Sequence, residues 1–120
     1  MSIEKLEKWA SVFDVLGNPI RLATLIILYG SEILFEGANS LTFGQINAVV
    51  GGVSKQSLTH HLKKLIGAGL ITKSAHQKNE SGRVYPLYSI TNTGTKFLED
   101  FGLKEFIEKF VARKKEEISS

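Results

Sequence analysis

Apolar residues recur along this chain at spacings that divide it into helices before any other property is considered. Ile3, Leu6, Trp9, Ala10, Phe13 and Leu16 share one side of a helix over residues 3–16, with Glu4, Lys5, Glu7, Lys8 and Asp14 elsewhere. Gly17 and Asn18 end it, and Pro19 suits the first turn of the next helix. That second helix runs from Pro19 to about Tyr29. Its residues Ile20, Leu22, Ala23, Leu25, Ile26, Ile27 and Leu28 are apolar nearly all round, which makes it central to the core. Arg21 and Thr24 are its main polar interruptions. Arg21 has two readings, a contact to a backbone phosphate or a partner for an acid such as Asp14. Residues 30–41 are mixed: Ile33, Leu34 and Phe35 can extend the helix, and Glu36 to Ser40 read as loop. Thr42, with Gln45 three residues on, forms a capping box that starts a third helix whose inner face is Phe43, Ile46, Val49 and Val50.

Gly51 and Gly52 close that helix, and Ser54 is a natural N-cap for the next, S-K-Q-S-L-T-H-H-L-K-K-L over residues 54–65. Leu58, His61, Leu62 and Leu65 fall at i, i+3, i+4 and i+7 and form one buried stripe. Lys55, Gln56, Ser57, Thr59, His60, Lys63 and Lys64 share the other faces. Every one of them can donate a hydrogen bond or carries positive charge, and no acid interrupts them. An apolar back with an acid-free, donor-rich front suits the DNA major groove, where phosphates attract lysines and base edges offer acceptors. An ordinary solvated basic face is the plainer reading of the same residues. Helix, short Gly-containing turn, helix is the arrangement of a DNA-binding helix-turn-helix.

Gly67 and Gly69 end the recognition helix. Leu70 to Ser74 and Val84 to Ile90 then read as two strands joined by the polar loop A-H-Q-K-N-E-S-G-R. A basic hairpin directly after a recognition helix is a wing, and its His76, Gln77, Lys78 and Arg83 are candidates for phosphates or the minor groove. Pro86 cannot donate to a ladder, so the second strand should be bulged there or lie at an edge. After a cap at Thr91 or Asn92, Phe97, Leu98 and Phe101 resume helical spacing. Gly102 breaks or bends that helix. Leu103, Phe106, Ile107, Phe110 and Val111 then give a strongly amphipathic helix outside the minimal winged region. The expected architecture is α+β, mainly α: one domain over residues 1–120, with a winged helix-turn-helix core at 17–91, a two-stranded wing, and flanking helices at 3–16 and 92–117.

Composition narrows the function. Net charge is only +3, but it is unevenly placed. Between residues 54 and 96 the bases Lys55, Lys63, Lys64, Lys73, Lys78, Arg83 and Lys96 face a single acid, Glu80, whereas the segments on either side are slightly acidic. That is the asymmetry of a nucleic-acid footprint. The chain has no cysteine, which excludes disulfides, thiolate metal sites and a cysteine nucleophile. Histidine ligation is not expected either, because His60 and His61 point about 100° apart on a helix and His76 is remote. His61, on the apolar stripe, reads as a satisfied core histidine. No Gly-rich phosphate loop, spaced carboxylate pair or Ser-His-Asp context suggests catalysis. No apolar run approaches the roughly 20 residues of a membrane span, and no signal peptide core is present. A cytoplasmic, non-enzymatic protein with no cofactor and no membrane partner is the expectation.

The runs L-G-N-P-I-R-L-A-T-L-I-I-L, V-S-K-Q-S-L-T-H-H-L-K-K-L-I-G-A-G-L-I and V-Y-P-L-Y-S-I-T-N-T-G, in this order, resemble the winged helix-turn-helix transcription regulators of the ArsR type, over about residues 16–98. The closing Y-S-I-T-x-x-G is also similar to MarR- and PadR-like proteins. The resemblance implies a homodimer that binds specific sites in double-stranded DNA, with the first and last helices building the dimer interface. It puts base contacts on Gln56, Ser57, Thr59 and His60, and phosphate contacts on Lys55, Lys63, Lys78 and Arg83. The cysteine pair that metal-sensing members carry before the recognition helix is missing from Thr42 to Asn47. Leu6, Trp9, Phe13, Phe106, Ile107, Phe110 and Val111 are the candidate dimer anchors; the plainer reading places them in the core of a monomer. Repression from an inverted repeat is the expected output, with a small-molecule effector left open. The competing expectation is a winged helix used as a protein-interaction or RNA-associated module.

Overall fold

A computed structural model describes residues 2–78 and 81–119, with Ala75 to Lys78 described by their backbone alone. Helix α1, Ile3–Leu16, starts at Ser2, whose side chain accepts from the Lys5 backbone N–H. Helix α2, Pro19–Tyr29, is capped by Asn18, whose Oδ1 accepts from the backbone N–H groups of Ile20 and Arg21 at 2.9 and 3.2 Å, with Pro19 in the first turn. Leu25, Ile26, Ile27 and Leu28 are buried on successive positions, as an all-round apolar helix requires. Thr24 is also fully buried, and its hydroxyl donates to the Ile20 carbonyl at 2.7 Å.

After α2 the helix breaks at Gly30, and Ile33 and Leu34 are helical again, as the extension reading allowed, in a separate turn. A single helical turn, α3, covers Ser31–Leu34, and Ser31 Oγ donates to the Ala38 carbonyl at 3.2 Å, closing the loop behind it. A two-residue strand, β1 at Leu41–Thr42, leads directly into helix α4, Phe43–Val50. Both halves of the capping box are present: Gln45 N–H donates to Thr42 Oγ1 at 3.1 Å, and Thr42 N–H to Gln45 Oε1 at 2.9 Å. Helix α5, Lys55–Gly67, follows a turn in which Gly51 and Gly52 have φ of 70° and 65°, a left-handed region that side chains disfavour.

Strand β2, Ile71–Lys78, and strand β3, Val84–Ile90, form an antiparallel hairpin, so β2 continues well past Ser74. The two-stranded wing is in fact part of a three-stranded sheet, ordered β1-β3-β2. Leu41 pairs with Tyr88 and Thr42 with Leu87, so this third strand is created by tertiary pairing with β3. The register shifts between Ser74 and Gln77, opposite the stretch Leu87 to Tyr85 that contains Pro86. Two residues of β2 there face one on β3, the bulge that a ring without an N–H calls for.

Helix α6, Asn92–Asp100, is capped by Thr91, whose Oγ1 also donates toward the Gly69 and Leu70 carbonyls at 2.7 and 3.0 Å. This one hydroxyl therefore ties α6 to the end of α5. Helix α7, Lys104–Ser119, returns across the molecule, and its Ile107 and Val111 are 1% and 0% exposed. A Cβ at Gly30 would lie only 2.6 Å from Val111 Cγ2, so the bare backbone between α2 and α3 is what admits α7. Ile107 and Val111 are thus core residues of one chain and not dimer anchors, because their own α7 stripe is already covered. Phe110 is half-buried against the same core, whereas Phe106, on the other side of α7, is exposed.

Candidate nucleic-acid interface

The position of α5 is decided by its leucines. Leu58, Leu62 and Leu65 are 0%, 2% and 0% exposed, and at about 1.5–3 kcal/mol each their burial contributes on the order of 5–9 kcal/mol as an upper estimate. That is ample to order a 13-residue helix that would be marginal alone. Ser54 Oγ accepts from the Ser57 N–H at 3.1 Å and so fixes where the first turn begins.

With the stripe buried, Lys55, Gln56, Thr59, His60, Lys63 and Lys64 are exposed together, and Ser57 is half-buried at the flank. Gln56, Thr59, His60 and Lys63, spaced i, i+3, i+4 and i+7, are neighbours on one face. One member is not the free donor that the residue types suggest. Thr59 Oγ1 donates to the Lys55 carbonyl at 2.7 Å, which occupies its only hydroxyl hydrogen inside the helix. In the wing, Arg83 is exposed just before β3, and Lys73 is exposed on β2. The side chains of His76, Gln77 and Lys78, expected in the wing's contacts, lie outside the described residues.

Residues 24–115 match the HxlR-like helix-turn-helix family. The chain belongs to that family. The S-x-x-S-L-x-x-H-L-K-K-L run supplies a cap, a stripe and a helix length that any winged helix needs for packing. It therefore marks the superfamily, and the comparisons do not support the ArsR type. The fold is similar to that of a solved structure described as a transcriptional regulator of the MarR family from Porphyromonas gingivalis W83. That likeness has 22% identity and a TM-score of 0.60, covering 82% of this chain and 83% of that chain. The comparison with curated proteins gave no match.

The HxlR-like chain also carries a linkage that its sequence left ambiguous. Arg21 meets neither Asp14 nor an exposed phosphate-facing position. Its Nε donates to His61 Nδ1 at 3.0 Å, and one terminal nitrogen donates to the Val15 carbonyl at 3.2 Å. Arg21 therefore joins the recognition helix to the last turn of α1. Because a guanidinium can only donate, Nδ1 of His61 must be the acceptor and the ring is neutral with its proton on Nε2. His61 is 8% exposed, and burial, followed by the charges of Arg21 and His60, pushes its pKa below the ordinary value of 6.5. Among the described residues no group of three His, Asp or Glu side chains is placed to hold a metal, and no single helix is long and apolar enough to cross a membrane.

On the far side of α1 lies an aromatic cluster. Phe13 meets Phe97 and Phe101 edge-on at 5.5 and 5.2 Å, and Trp9 meets Phe101 at 5.5 Å. A cleft of about 500 Å³ opens beside it, with Trp9, Phe97, Phe101, Lys5, Lys8 and Lys96 in its wall.

Proposed function

We propose that this protein is a homodimeric, sequence-specific repressor that reads an inverted repeat in double-stranded DNA through α5. The observation that carries the reading is the exposed, acid-free face of α5, held by three buried leucines and a capped N-terminus in a chain of the HxlR-like helix-turn-helix family. Lysines at 55, 63 and 64 supply affinity through phosphate contacts and counterion release, and the polar residues between them supply discrimination. The MarR-family regulator of similar fold supports transcription as the context. A cytoplasmic location goes with that role.

Support for the dimer comes from what α1 and its neighbours leave uncovered. Ile3 is 70% exposed and Phe106 60%, while Leu6, Phe13, Phe101 and Leu103 are also exposed. Exposed apolar side chains on α1 and at the α6–α7 junction are what an isologous two-fold interface would cover. Leu6, Trp9, Phe13, Phe106 and Phe110 keep their assignment as anchors.

Hydroxyl-radical footprinting on the region upstream of the gene tests the arrangement. Two protected patches centred about one helical turn, roughly 34 Å, apart are expected. A single patch, or none, contradicts the two-fold reading.

A further inference from the structure

Thr59 differs from its neighbours on the exposed face of α5 because of what its hydroxyl already does. The hydrogen of Oγ1 is given to the Lys55 carbonyl at 2.7 Å. Most of the hydrogen-bonding positions in the major groove are acceptors: N7 of either purine, O6 of guanine and O4 of thymine. A hydroxyl whose hydrogen is committed to the helix can donate to none of them. Turning it outward would give up the bond to the Lys55 carbonyl.

With Oγ1 bonded to the preceding turn of helix, the γ-methyl is the part of this exposed side chain that has no bond to the helix. Thymine alone presents an apolar group, its C5-methyl, in the major groove. Thr59 is in the first half of α5, the part of a recognition helix that approaches base edges, with Gln56 three residues before it and Lys63 four residues after it on the same face. We propose that Thr59 is a specificity-determining residue that recognises thymine by methyl-to-methyl contact. This rests on the DNA-binding reading above and deepens it.

The assignment separates the two substituents of one side chain, so two variants isolate them. Thr59→Ser keeps the hydroxyl and loses the methyl; Thr59→Val keeps a methyl and loses the hydroxyl. Binding sites are first selected from a random-sequence duplex library with the full-length wild-type chain. Each thymine of the selected site is then replaced singly by deoxyuridine, which removes only the C5-methyl, and dissociation constants are measured at fixed salt. For the wild type, one thymine per half-site should lose about fourfold in affinity on replacement, the effect of one buried methyl. Thr59→Ser should bind the uracil and thymine versions of that position equally, and Thr59→Val should keep the preference. Equal response at every thymine, or a thymine preference that survives in Thr59→Ser, overturns the assignment while leaving DNA binding intact. Absence of any salt-dependent binding to duplex overturns this assignment together with the reading beneath it.

Discussion

Replacing Arg21 with methionine removes two hydrogen bonds while keeping much of the side chain's apolar length. One, from Nε to His61 Nδ1 at 3.0 Å, ends on an imidazole that is only 8% exposed. Leaving that acceptor without a donor costs about 1–3 kcal/mol, more than the bond itself contributes. The other, to the Val15 carbonyl, lies in the last turn of α1, and its loss adds a smaller amount. A loss of about 2 kcal/mol at pH 7.5 lowers the melting temperature of a chain this size by roughly 6–10 °C. The sign of the pH dependence gives a sharper test. In the folded wild type the His61 pKa is depressed, first by burial, then by Arg21 and His60. The unfolded chain, titrating near 6.5, therefore binds the proton more readily, so the contribution of His61 to stability is complete above about pH 6.5 and is lost as pH falls toward the folded value. Arg21→Met takes away one cause of the depression and reduces that acid-linked loss. Denaturant unfolding of both proteins at pH 7.5 and pH 5.5 should show a stability gap that narrows on acidification. A variant as stable as wild type at pH 7.5, or a gap unchanged between the two pH values, would refute the linkage.

Other expectations follow from single contacts. Gly30→Ala puts a Cβ 2.6 Å from the branched, rotamer-restricted Val111, so it should destabilise the chain by about 1–3 kcal/mol and make α7 the first segment cut in limited proteolysis. Ser54→Ala removes the acceptor for the Ser57 N–H and should cost about 1 kcal/mol in denaturant unfolding, with the far-UV spectrum otherwise unchanged. Lys63→Ala should weaken all duplexes alike and reduce the magnitude of the salt slope by about one, whereas Gln56→Ala should lose about 1–3 kcal/mol on the selected site only. Phe13→Asp places a charge in the exposed aromatic patch and should shift light scattering from dimer to monomer; a dimer unaffected by it would remove α1 from the interface.

Helix limits were readable where periodicity and a cap coincided. Thr42 with Gln45, and Ser54, act through hydrogen bonds within three residues, so residue types at fixed spacing reveal them, whereas Asn18, read only as an end of α1, proves to cap α2. An irregularity at Pro86 was legible because the missing N–H is a property of the residue, but its form was not: the extra residue lies on β2, and β3 is the central strand of the sheet, not an edge. Strand β1 had no such signal. Leu41 and Thr42 are a strand only because Tyr88 and Leu87 lie beside them, and two residues carry no period. α7 shows a different limit: its stripe announced an apolar face but not its partner, and the face divides, with Ile107 and Val111 inside and Phe106 outside. Arg21 offered a phosphate or an acid as partners. Its real partners, a histidine forty residues away and a carbonyl, become adjacent only when α2 packs between α1 and α5. Thr59 looked like a donor because the backbone carbonyl that occupies it is invisible in a list of side chains.

The central claim, that the exposed face of α5 grips duplex DNA at a specific site, is tested most directly by fluorescence-anisotropy titration. The purified protein is titrated onto its own upstream region and onto random-sequence duplex, across a salt series. Tight binding to one fragment is expected, with log affinity falling against log salt at a slope of roughly −4 to −5 for two protomers that each set two or three α5 lysines on phosphates. Weak binding that is equal on both duplexes and flat with salt would contradict it.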